Sequence, residues 1–78
     1  MPTLFIIHGY RFFFYSNDEK EPVHIHVEKA EKVAKFWMHP VCLAGNYRFR
    51  SSELRKIMDI IEENKVRIEE SWRDYFKK

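Results

Sequence analysis

The 78 residues predict an α+β domain, a small antiparallel sheet of four or five strands in the order ββββ(β)α with a long or kinked C-terminal helix packed on one face. Two observations predict it. The apolar period changes once, from two to about three and a half near residue 50. The early apolar runs are separated by links too short for a crossover, which makes neighbouring strands antiparallel. Residues 1–50 form the β-rich region and 51–78 the helical region of a single domain, with no repeat, linker or low-complexity tract.

Thr3 to Ile7 reads as a short buried strand ended by His8-Gly9. Tyr10 to Tyr15 is a second, unusually aromatic strand, with Tyr10, Phe12 and Phe14 on one side and Arg11, Phe13 and Tyr15 on the other. Ser16 to Pro22 is polar and closes on proline, so it is an exposed loop. The third strand, Val23 to Lys29, alternates cleanly: Val23, Ile25 and Val27 on one face, His24, His26 and Glu28 on the other. Ala30-Glu31 is a tight turn into Lys32 to Trp37, and His39-Pro40 interrupts that strand. Val41 to Leu43 is a further short strand closed by Gly45-Asn46.

From Ser51 the pattern is helical, with Ser51 or Ser52 as N-cap and Glu53 at the positive end of the helix dipole. Leu54, Ile57, Met58, Ile61, Ile68, Trp72 and Phe76 form the apolar stripe. Lys65, beside Asn64, interrupts it. Unbroken, about 26 residues would reach ~39 Å, against ~20 Å for a six-residue strand. Either the helix overhangs and exposes Trp72, Tyr75 and Phe76 to a partner, or it breaks at Asn64 and folds back over the sheet. The expected core is Leu4, Ile6, Phe12, Phe14, Val23 or Ile25, Phe36, Leu54, Ile57, Ile61 and Trp72.

Seven Phe, four Tyr and two Trp supply large buried areas for so short a chain. The one cysteine, Cys42, excludes an internal disulfide, and there is no long apolar span, so a reducing cytoplasm and no membrane are expected. Net charge is +2, with its basic excess in Arg48, Arg50, Arg55 and Lys56, the patch to consider for nucleic acid. Glycine-loop and serine-elbow signatures are absent, and no cofactor is implied.

The histidine strand carries the chemistry. Same-face neighbours on a strand lie ~6.5–7 Å apart, so His24 and His26 can share a transition metal, while Glu28 reaches it only through a bulge. A third ligand would come from His8, His39 or Cys42. Without metal, the two imidazoles could act as general base and acid in RNA cleavage, with Arg48 or Arg50 stabilising developing charge.

Met1-Pro2-Thr3, Gly9 before an aromatic strand ending Phe14-Tyr15, the acidic loop leading to Pro22-Val23-His24-Ile25-His26-Val27, and Glu69-Glu70-Ser71-Trp72 near the C-terminus together resemble a bacterial family, domain of unknown function 4160. The resemblance spans nearly the whole chain. Family members usually place a proline directly before a His-aromatic-His run; here Val23 intervenes and Ile25 replaces the aromatic. The tryptophan common in mid-helix is replaced by the Ile60-Ile61 region. The resemblance implies a small cytoplasmic interaction module, the toxin-like member of a toxin–antitoxin pair. Its partner would be a cognate small antitoxin-like protein or a second copy. Carried over are His24 and His26, with Trp72 as a structural or interface residue. A histidine-dependent ribonuclease and a metal-binding or structural accessory domain are the alternatives.

Overall fold

The computed structural model describes residues 3–77; Met1 and Pro2, quoted for the resemblance, and Lys78 lie outside the described residues. Five antiparallel strands, β1 (Thr3–Ile7), β2 (Tyr10–Phe13), β3 (His24–Lys29), β4 (Lys32–Met38) and β5 (Val41–Tyr47), form a meander in chain order. Helices α1 (Ser51–Glu63) and α2 (Lys65–Tyr75) follow. His8 and Gly9 both take positive φ, 52° and 81°, which turns β1 into β2 in two residues with the twist a hairpin needs. Ala30, also at positive φ, begins the β3–β4 turn.

Pairing carries the alternation of β3 across the sheet. Phe12, Val27 and Ala34 align in one rung, and Phe13, His26, Lys35 and Gly45 in the next. The first rung, with Ile25, Phe36 and Met38, packs into a core closed by Ile57, Ile60, Ile61, Ile68 and Trp72 of the helices. The second rung faces away from the helices. Phe13 is buried there, outside the main core, beneath the Arg11 guanidinium 4.3 Å from its ring centroid.

Several expectations change, the first being that β2 ends at Phe13 and not at Tyr15. In β1 the core residue is Phe5, and Ile6 is 64% exposed. A register shift between Thr3 and Phe5 directs Phe5 onto Phe12, with ring centroids 5.0 Å apart. β5 runs through Gly45-Asn46 to Tyr47, accommodated by a bulge opposite Lys35 and Phe36. The N-cap of α1 is Arg50, whose backbone N–H donates to Glu53 Oε1 at 3.0 Å, so Ser51 and Ser52 lie inside the helix.

The helix breaks at Asn64. Its side-chain amide donates to Ile60 O at 2.8 Å, and its backbone N–H to the carbonyls of Ile60 and Ile61, both at 3.1 Å. These bonds terminate α1, and Asn64 O accepts from Ile68 N–H to start α2. Thirteen residues of α1 span about 20 Å, close to the strand length, so no apolar overhang forms. Among the described residues no helix is long and apolar enough to cross a membrane.

Candidate histidine–aspartate site

The β2–β3 connection is closed by one side chain. Asp18, in a single 3-10 turn at Asp18–Lys20, accepts from Tyr15 N–H at Oδ2, 2.7 Å, while its own N–H returns to Tyr15 O at 3.1 Å. The reciprocal bonds fold the acidic loop back, so that this carboxylate is buried rather than solvated. The same loop delivers Pro22 O, which accepts from His24 Nδ1 at 2.7 Å. A carbonyl can only accept, so Nδ1 carries the proton and Nε2 is left pointing inward.

Asp18 meets both histidines. Its Oδ2 lies 3.0 Å from His26 Nε2 in a hydrogen bond, which places the proton on Nε2 and the lone pair on Nδ1. Its Oδ1 lies 3.0 Å from His24 Nε2, off the direction a ring N–H bond requires. That nitrogen is therefore buried and near a carboxylate, yet without a hydrogen bond. His24 is fully buried, its ring packed edge-on against Trp37 and Trp72 at 5.6 and 5.2 Å. His26 is half-buried, stacked on Phe13 at 5.5 Å and met edge-on by Tyr15 at 4.6 Å.

His26 also walls a cavity of about 280 Å³ on the helix-free face, together with Phe13, Tyr15, Val33, Lys35 and Tyr47. Gly45 lines it too, and a Cβ built there meets nothing within 4 Å. The cations of this face are paired, Arg11 with Glu28 and Lys35 with Glu21. Both pairs are partly exposed and thus weak enough for a ligand to displace.

Burial lowers the His26 pKa from its ordinary value of 6.5, against the opposing pull of the Asp18 charge; the neighbouring His24 adds to the lowering. As pH falls below about 6.5 the unfolded chain takes up a proton that the folded chain still refuses. The His26 contribution to stability is therefore whole above that value and is lost as pH falls towards the folded pKa. Asp18→Asn removes the one strong influence holding the pKa up, so His26 is expected to titrate at still lower pH in that variant. Side-chain proton–nitrogen NMR reads this directly, and an upward shift would contradict the arrangement.

Of the residues expected from sequence, only His24 and His26 come together, and the third member is Asp18 rather than His8, His39 or Cys42. His39 pairs with Glu69 at 3.1 Å, while His8 and Cys42 are exposed. Glu28 is engaged by Arg11. Arg48 and Arg50 line another cavity with Glu31, Lys32 and Ser52, and the Arg48 guanidinium also lies 5.4 Å from the ring of Tyr47, a wall residue of the His26 cavity. Trp72 is a core residue, Phe76 is partly buried against the core, and Tyr75 alone of that trio is exposed. Trp72 therefore lies in the core, where the expected core list put it, and not on an exposed overhang. Sequence reasoning missed Asp18 and Tyr15. The available signal was an acid six residues ahead of a His-x-His strand, within reach of a fold-back loop.

No curated protein and no solved structure matches the chain. The family model described as domain of unknown function DUF4160 matches residues 9–73, a span that holds Tyr15, Asp18, His24, His26 and Trp72. With most of its length inside that match, the chain belongs to the DUF4160 family.

Proposed function

We propose that this protein is a small acid–base catalyst working on the helix-free face of its sheet, with single-stranded RNA as substrate. The observation that carries the reading is His26, held by Asp18 through Nε2 and standing in the wall of an aromatic cavity. Tyr15 and Tyr47 offer ring faces to a base, and the Lys35 ammonium offers a charge to a phosphate. His26 Nδ1 takes the proton of the ribose 2′-hydroxyl, the 2′-oxygen attacks phosphorus, and the bond to the 5′-oxygen breaks, that oxygen leaving with a proton from water. The buried His24 plays no part as general acid, so the scheme uses one imidazole, not two.

The test is cleavage of a labelled single-stranded RNA. Wild type is expected to cleave, and His26→Gln to lose the activity. Gly45→Leu, which fills the cavity without a backbone penalty, should lose it through binding. Equal rates in all three proteins would reject the proposal. The toxin-like role follows from the same activity: expression of the wild type should slow growth, and His26→Gln should relieve it.

A second reading, an interaction module, is favoured by β5. This seven-residue edge strand carries no charge and no proline, and six of its residues are exposed. Apart from the bulge opposite Lys35 and Phe36 it lacks the usual protection of an edge, so a partner protein or a second copy could add as a sixth strand. Light scattering that gives the monomer mass at every concentration would exclude self-association.

A further inference from the structure

We propose that Asp18, His24 and His26 form a binding site for one divalent transition-metal ion of the zinc type. Three independent observations converge. The candidate ligand atoms, one from each side chain, all lie within 4.8 Å of one another. In a tetrahedral site with bonds of about 2.0–2.2 Å, adjacent ligand atoms are about 3.3–3.5 Å apart. Each Asp18 oxygen lies 3.0 Å from one histidine nitrogen, Oδ1 from His24 and Oδ2 from His26, so whichever oxygen is the ligand is near that spacing from one imidazole, and side-chain shifts would bring in the other.

His24 Nε2 supplies the second observation. It is fully buried, faces the carboxylate at 3.0 Å, and makes no hydrogen bond. Buried beside a carboxylate and without a hydrogen bond, that nitrogen is a costly unsatisfied polar atom. A cation bound by both would satisfy the nitrogen and the carboxylate oxygen together. The third observation is the outer partner. Metal-bound histidines commonly donate their other ring N–H to a backbone carbonyl or carboxylate, which fixes the tautomer. His24 Nδ1 donates to Pro22 O at 2.7 Å and is thus set to offer Nε2 as a ligand.

Two imidazoles and one carboxylate suit zinc, cobalt(II), nickel or iron(II) rather than calcium or magnesium. Three protein ligands leave a further position for water or substrate, the pattern of metal sites that do chemistry. The His26 ring forms part of the wall between these donors and the cavity. Metal loading and the metal-free base exclude one another, because the ion takes the nitrogen whose proton Asp18 otherwise holds. The proposal rests on geometry alone and stands apart from the RNA reading, so it is tested by binding and not through activity.

The experiment is titration of untagged, chelator-treated protein with zinc by calorimetry, and with cobalt(II) by visible absorption. Wild type is expected to bind one equivalent of each, cobalt giving the intense bands of a four-coordinate site. Asp18→Asn and His26→Ala should each weaken binding by about tenfold or more. His39→Ala, whose imidazole lies outside the cluster, should bind as wild type does. His24→Ala empties a fully buried position, so its loss of binding counts only where circular dichroism shows the fold retained. Absence of saturable one-to-one binding would overturn the site, as would binding unchanged in Asp18→Asn and His26→Ala.

Discussion

Trp72→Ala is expected to destabilise the fold by about 3–5 kcal/mol, the range for removing a large buried aromatic. A domain of this length has about 4–12 kcal/mol in total, so the variant should lose at least about a quarter of its stability and, at the low end of that range, all of it. The size follows from what the indole touches. Its ring lies 5.1 Å from Phe14, 4.5 Å from Phe76 and 5.2 Å from His24, joining α2 to the end of the sheet where β3 begins. Removal would leave a cavity beside the buried imidazole and admit water to His24, so the site should loosen with the core. Urea denaturation followed by tyrosine fluorescence and circular dichroism measures the loss. An interface tryptophan on an overhanging helix would behave oppositely, leaving the monomer's stability within about 0.5 kcal/mol.

His26→Gln is expected to reduce RNA cleavage by about 10²–10⁴-fold, the usual contribution of a positioned general base. Glutamine has an amide that can donate to Asp18 in place of imidazole Nε2, but it has no basic nitrogen to replace Nδ1. The loss should therefore fall on kcat with the fold preserved. In Gly45→Leu, by contrast, KM should rise first, because that substitution narrows the cavity and leaves the dyad intact. The pH profile supplies a separate check. A base must be neutral to act, so activity should rise with pH through the folded pKa of His26, which burial places below 6.5. An ascending limb at or above that value would remove His26 as the base.

The alternation from Val23 to Val27 was legible because apolar and polar residues occupy opposite parities, so only one register buries the valines and isoleucine. β1 offered no such guide. Thr3-Leu4-Phe5-Ile6-Ile7 is apolar at both parities, and the choice of Phe5 over Ile6 was made by its partner ring Phe12 and the shift between Thr3 and Phe5. At Asn64 the interrupted stripe marked where a break could fall, but neither that it occurs nor the side to which α2 turns. Of the two places open to Trp72, core or overhanging surface, that turn gave the core, through contacts with Phe14 and His24 that are remote in sequence.

The amino-acid sequence by itself determined the antiparallel sheet, the two histidines on one face of a strand and the helical C-terminal region, and it marked Asn64 as the place where a break could fall. Each of these is written in short-range periodicity or local backbone chemistry. Only the tertiary structure decided that Asp18 meets both histidines, with Glu21 reaching His24 at 3.9 Å, and that Arg48 and Arg50 line another cavity. The reason is physical: the chain codes parity and propensity within a few residues, whereas a site is closed by groups brought together through loop closure and burial. Those depend on how the whole core packs.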